Sequence, residues 1–129
     1  ILNSKVKFRE WYRPFAPFCK KEEAHKYFDS PNFDNLEYMS YAPKVKVDTL
    51  PSITHVDGTA RLQTVTEESH SHFYELLTEF GKISETNVLL NTSFNIRGYP
   101  ILSTIKDALY ALENTEMDYV VIEDYLFEL

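Results

Sequence analysis

Two stretches of helical period separate three short apolar runs, and that alternation constrains the fold of this chain more than anything else in it. Phe73, Leu76, Leu77 and Phe80 fall at i, i+3, i+4 and i+7, the spacing of one helix face. Ser69 or Ser71 is placed to cap the start of this helix and Gly81 to stop it. Thr104 with Asp107 three positions later has the form of a capping box, and Ala108, Leu109, Ala111 and Leu112 continue a second helix. Strands are expected from Arg61 to Val65, from Val88 to Leu90 and at Tyr119–Ile122, the last of these closing the fold. Strand, helix, strand, helix, strand predicts an α/β or α+β domain and not a bundle or a sandwich.

Upstream the pattern is less regular. Residues 22–28 predict a short helix stopped before Ser30-Pro31, 38–42 a strand limited by Pro43, and 44–51 a connecting loop. A chain of 129 residues, 43% hydrophobic, can build one core, so one compact domain over residues 1–129 is expected. The single cysteine, Cys19, excludes an internal disulfide and points to a reducing compartment, the cytoplasm. No signal peptide and no long apolar run is present, so no membrane segment is expected. The sequence begins at Ile1 without a methionine and enters charged sequence almost at once, which reads as a piece of a longer protein.

The formal charge of −7 and pI near 5.0 oppose a general nucleic-acid role, because a polyanion is held through many Lys and Arg contacts. A small anion in one local pocket remains compatible with that charge. All four arginines, Arg9, Arg13, Arg61 and Arg97, fall in three segments where polar groups interrupt apolar sequence. KFREWYRPFAP (7–17) interleaves Lys7, Arg9 and Arg13 with Phe8, Trp11, Tyr12 and Phe15. Such a segment suits either a surface that stacks a base and pairs a phosphate or a strand with its cations toward water. In THVDGTARLQTV (54–65), His55, Asp57, Thr59 and Arg61 alternate around Gly58. Asp-Gly is an ordinary turn signal, but a turn by itself accounts for neither His55 nor Arg61.

The third segment, LLNTSFNIRG (89–98), leaves an apolar run for a hydroxyl, amides and an arginine. If extended, it would project Ser93, Asn95 and Arg97 to one side, while Asn91 and Asn95 are also residues that commonly bond local backbone. One anion pocket built from all three segments is the most economical expectation. Other groups are weaker candidates. His70 and His72 point to different helix faces and make a poor metal pair, Cys19 has no catalytic motif, and no Walker A or dinucleotide fingerprint is present.

These three motifs, in this order and followed by a capped helix and YVVIEDYLF, resemble the C-terminal domain of the carbamoyltransferases of the nodulation-protein and antibiotic O-carbamoyltransferase family. The resemblance runs from about Lys5 to about Phe127. It implies a YrdC-like fold, a twisted mixed sheet with flanking helices, and an actin-like N-terminal transferase domain that holds iron or another metal and is absent from this sequence. It implies that the C-terminal domain binds carbamoyl phosphate and ATP, with Mg²⁺ accompanying the ATP, and forms carbamoyl-adenylate, which the N-terminal domain uses to carbamoylate an acceptor hydroxyl. No resident metal ligands are expected in this domain. Carried over by motif, Arg61, Ser93 and Arg97 would be catalytic, and Lys7, Arg9, Arg13, His55, Asp57, Asn91 and Asn95 would complete the substrate and ATP contacts. The family commonly has an acidic residue after the Arg-Gly pair, where this chain has Tyr99. The alternatives are a nucleotide- or anion-binding module without chemistry of its own and a YrdC-like RNA-binding domain.

Overall fold

In a computed structural model that describes residues 1–129, the chain separates into two units, Pro14–Thr92 and the terminal segments Ile1–Arg13 with Ser93–Leu129. The architecture is mixed α and β, as the alternation predicts, with one mixed three-stranded sheet and two strand pairs.

Pro14–Thr92 is built on β1 (Ala16–Lys20), in which Ala16, Pro17, Cys19 and Lys20 are all buried. A 3₁₀ turn (Lys21–Glu23) and α1 (Ala24–Tyr27) follow, then β2 (Phe28–Asp29) and β3 (Lys44–Val45), which pair antiparallel. The unit is completed by β4 (Gln63–Val65), α2 (Ser71–Ile83) and β5 (Val88–Asn91). β1 is central, parallel to β4 with Phe18 opposite Gln63 and antiparallel to β5 with Cys19 opposite Val88. The ladder to β4 begins at Phe18, so Pro17 is paired on one side only, where a residue lacking an N–H is tolerated.

Helix α2 lies on β1 through particular side chains. Phe73 meets Phe18 edge-on with ring centroids 5.6 Å apart, and Leu77 is fully buried. The Lys20 ammonium sits 4.4 Å from the Tyr74 ring centroid, and the Tyr74 hydroxyl donates to Glu22 Oε1 at 2.5 Å. The apolar face is narrower than the spacing suggested, since Phe73 and Leu76 remain about half exposed.

Several local expectations need correction. Neither Ser69 nor Ser71 caps α2: the N-cap is His70 without a side-chain bond, and Ser69 is engaged with Thr66 just before the helix. Gly81 does not stop the helix, which continues to Ile83. A Cβ at Gly81 would lie 2.3 Å from Asn87 Oδ1, so the glycine makes room for that amide. Asn87 uses the room to donate from Nδ2 to Glu23 Oε2 at 2.7 Å, while its N–H donates to the Tyr27 hydroxyl at 3.0 Å.

Gly81→Ala should therefore destabilise the protein by about 1–2 kcal/mol. The gain of about 1 kcal/mol in helix propensity is outweighed by loss of the charge-assisted bond to Glu23. Denaturant midpoints measure this, and in an Asn87→Ala background the same substitution should become stabilising.

The strand expected at 38–42 does not form. Leu36–Tyr38 is a 3₁₀ turn between two left-handed residues, Asn35 at φ 66° and Met39 at φ 55°, a backbone path incompatible with extended pairing. The expected loop 44–51 opens with β3, and the expected helix at 22–28 ends at Tyr27, with Phe28 already in β2.

In the other unit a single wide turn of π-helix, Leu2–Val6, precedes an irregular segment, so of the strand considered for 7–17 only Ala16 and Pro17 are extended, at the start of β1. After Ser93 come α3 (Ile105–Asn114), β6 (Tyr119–Ile122) and β7 (Tyr125–Glu128). The predicted cap is present: Thr104 Oγ1 accepts from the Asp107 N–H at 3.1 Å and donates to Asp107 Oδ2 at 2.6 Å. Ala108 and Leu112 of α3 pack with Val120, and Met117, Ile122 and Phe127 close around them. β6 does not end the fold, because Glu123 at φ 53° turns the chain into β7 and Val120 faces Phe127 across the hairpin. No helix is long and apolar enough to cross a membrane.

Candidate functional site

The unit of Ile1–Arg13 and Ser93–Leu129 holds Lys7, Arg9, Arg13, Ser93, Asn95 and Arg97. Lys7 is buried, and its ammonium donates to the Ser93 carbonyl and to Asn95 Oδ1, the latter at 2.6 Å. Both acceptors are neutral, so hydrogen bonds satisfy the ammonium without cancelling its charge. Burial, reinforced by Arg9 and Arg13 nearby, lowers the Lys7 pKa from its ordinary value.

Backbone bonds fix this arrangement. The Arg97 N–H donates to the Lys7 carbonyl at 3.2 Å, and Gly98 at φ 81° turns the chain directly afterwards. Asn95 is held by the Ser93 hydroxyl, which donates to its Oδ1 at 2.9 Å, and donates from Nδ2 to the Tyr99 carbonyl at 3.3 Å. The segment is therefore bent and not extended, and Ser93, Asn95 and Arg97 do not project to one side as alternation predicted. Ser93 and Asn95 close on Lys7, whereas the Arg97 guanidinium lies 3.7 Å from Glu10 Oε1.

Two residues that the sequence reading passed over organise this cluster. Asn3, buried, donates from Nδ2 to the carbonyls of Trp11 at 3.2 Å and Arg13 at 2.8 Å and accepts from Arg9 Nε at 2.7 Å. Glu10 faces Arg97 and also Arg13, whose Nη1 is 3.8 Å from its Oε2. Its own backbone N–H, then Arg97, Arg13 and Arg9, hold the Glu10 carboxyl below the usual carboxylate range. One carboxylate among Lys7, Arg9, Arg13 and Arg97 leaves local positive charge within a chain of net charge −7. The side chains of Arg13 and Arg97 are 56% and 66% exposed, so their forks reach solvent. Such a set can receive phosphate or carboxylate oxygens.

The unit Pro14–Thr92 holds His55, Asp57, Arg61 and Asn91. His55, Asp57 and Thr59 knit a tight turn around Gly58 at φ 79°. The His55 N–H donates to the Thr59 carbonyl at 2.7 Å, and Asp57 Oδ1 accepts from the Thr59 N–H at 3.0 Å and its hydroxyl at 2.7 Å. Because that hydroxyl donates to the carboxylate, His55 Nδ1 is the donor in the 3.0 Å contact with Thr59 Oγ1. The Thr59 bonds depress the Asp57 pKa. The turn thus accounts for His55 after all, contrary to the expectation from sequence. Arg61, by contrast, is exposed just before β4 and makes no ion pair. Asn91 donates from Nδ2 to Gln63 Oε1 at 2.5 Å, joining the strands that flank β1.

No three His, Cys, Asp or Glu side chains come together as metal donors, and Asp57 Oδ1 accepts both bonds from Thr59. Cys19 is fully buried, and burial, with Glu23 and Glu22 nearby, pushes its thiol up to about 12. It is a neutral core side chain at physiological pH.

Comparison with known proteins gives one consistent result. A family model described as the carbamoyltransferase C-terminus matches residues 1–128. The nodulation protein NolO of Bradyrhizobium diazoefficiens is 39% identical over 97% of this chain and 24% of its own length. The 3'-hydroxymethylcephem-O-carbamoyltransferase of Streptomyces clavuligerus is 37% identical over 95% of this chain and 23% of its own length. An uncharacterized protein of Synechocystis sp. is 37% identical over 98% of this chain and 24% of its own. The chain spans about a quarter of the length of these curated relatives.

Proposed function

The chain belongs to the carbamoyltransferase C-terminus family, and from that premise we propose that it is a YrdC-like domain that binds carbamoyl phosphate and ATP and forms carbamoyl-adenylate. An N-terminal transferase domain of the whole protein would then pass the carbamoyl group to an acceptor hydroxyl. The single observation that carries the reading is the cluster of Lys7, Arg9, Arg13 and Arg97 with Glu10 as its lone carboxylate.

The reaction divides into two balanced steps. Water cleaves carbamoyl phosphate to carbamate and phosphate. A carbamate oxygen then attacks the α-phosphorus of ATP, forming the P–O bond of carbamoyl-adenylate as the bond to pyrophosphate breaks. Both steps gather anions. Two unit charges 5 Å apart at an effective dielectric of 20 repel by about 3 kcal/mol. A charge-assisted hydrogen bond contributes about 1.5–3 kcal/mol, so two such bonds offset one repulsive pair. Catalysis of this type consists largely of positioning and charge stabilisation.

Lys7, held by Ser93 and Asn95, would supply a fixed positive charge, while Arg13 and Arg97 would engage phosphate oxygens through their forks. Within Pro14–Thr92, Arg61, an exposed guanidinium without an ion pair, is proposed as a phosphate contact of that unit in its own right. Mg²⁺ would arrive as part of the nucleotide substrate, held by its phosphates.

Isotope exchange between pyrophosphate and ATP tests the reading. Exchange that depends on carbamoyl phosphate is expected, whereas ATP binding without any exchange would reduce the domain to a nucleotide-binding module.

A further inference from the structure

Trp11 is the only tryptophan of the chain, and it stands 85% exposed beside Tyr12 at 67%. A ring of that size in water forgoes the burial that normally fixes a tryptophan in a fold. The backbone that carries it is nevertheless held on both sides. Asn3 bonds the carbonyls of Trp11 and Arg13 and the Arg9 side chain, and the Arg13 N–H closes on the Glu10 carbonyl at 3.2 Å. Phe8 is kept at φ 50°, a left-handed conformation that a bulky residue adopts only where its surroundings impose it. The Trp11 and Tyr12 rings brace one another edge to face, with centroids 5.9 Å apart and planes at 85°.

A fixed loop thus presents an open aromatic surface within the same segment that carries Lys7, Arg9 and Arg13. The matching ligand is aromatic at one end and anionic at the other. We propose that Trp11, with Tyr12, is the stacking platform for the base of a nucleotide whose phosphates are held by Lys7, Arg13 and Arg97. This inference rests on the ATP reading above and adds to it a subsite and an orientation. Stacking uses the π face of the base, so the platform gives affinity without reading the base edge. Carbamoyl phosphate has no ring and gains nothing from it. The platform therefore separates two substrates that the cations alone would treat alike.

Because the chain has one tryptophan, its indole emission reports on this position directly. ATP and inorganic pyrophosphate are titrated into the chain, following emission and binding heat in parallel. The expected result is that ATP quenches the emission while pyrophosphate binds without quenching it. Trp11→Ala should weaken ATP on the order of ten- to a hundredfold and leave pyrophosphate unchanged, and Trp11→Phe should keep most of the ATP affinity.

Equal weakening of ATP and pyrophosphate by Trp11→Ala would show a merely structural role and overturn the proposal. ATP binding that leaves the emission unchanged, or that Trp11→Ala does not affect, also overturns it, while the anion site survives. Failure of the unmodified chain to bind either compound removes the anion site itself, and the platform with it.

Discussion

Arg97→Ala and Arg61→Ala should each lower carbamoyl-phosphate-dependent ATP–pyrophosphate exchange by about ten- to a hundredfold or more, with the fold intact. The size follows from losing one charge-assisted, potentially bidentate contact to a phosphate at about 1.5–3 kcal/mol per bond. The fold should tolerate both changes because both arginines are exposed. The Arg97 pair with Glu10, at 3.7 Å, is of the surface kind that contributes about 0–1 kcal/mol. Exchange assays together with thermal melts check both halves of the expectation. Unaltered exchange in either variant would remove that arginine from the phosphate contacts.

The second large effect is expected at Asn3. Its amide takes part in three hydrogen bonds, to the carbonyls of Trp11 and Arg13 and from the Arg9 guanidinium, and the residue is buried. Asn3→Ala removes all three at once and strands two carbonyls in a partly buried place. Neutral bonds of about 1 kcal/mol each and a stronger charged one sum, after partial relaxation, to about 2–4 kcal/mol of destabilisation. Denaturant unfolding measures that loss. Asn3→Asp is the informative companion: it keeps the acceptor for Arg9 but loses both donated bonds, so it should recover only part of the stability. A melt for Asn3→Ala equal to that of the unaltered chain would mean that the 7–13 loop holds itself.

What could be read from the amino acids divides along physical lines. α3 was legible because its signals are local: Thr104 and Asp107 cap one another across a single turn, and the buried face repeats at helical spacing. The end of α2 was not, because Gly81 answers to Asn87 across a turn and not to the helix's own termination. β7 escaped notice because its turn places Glu123 at φ 53°, where Gly or Asn would have been the recognisable sign. The short strands β2 and β3 owe their pairing to each other and carry no pattern of their own.

The candidate residues show the same division. Clustering of arginine in three segments is visible in one dimension, and the fold gathers Lys7, Arg9, Arg13 and Arg97, from two of those segments, into one unit. Ser93 and Asn95 do not alternate outward because they fold back onto Lys7, a contact 86 and 88 positions away in the chain. Glu10 and Asn3 act through contacts that composition does not reveal. His55, whose place in the sequence a turn alone did not explain, is hydrogen-bonded within its own turn through its backbone N–H and Nδ1.

Burial of Cys19 in the central strand makes the chain its own opening gauge. A thiol that is fully shielded and pushed up to about 12 is unreactive toward alkylating or disulfide-exchange reagents while β1 stays in its sheet. With one cysteine in the sequence, every labelling event at neutral pH then records a single excursion in which Pro14–Thr92 parts around β1. The labelling rate, compared with that of the unfolded chain, converts directly into the free energy of that excursion.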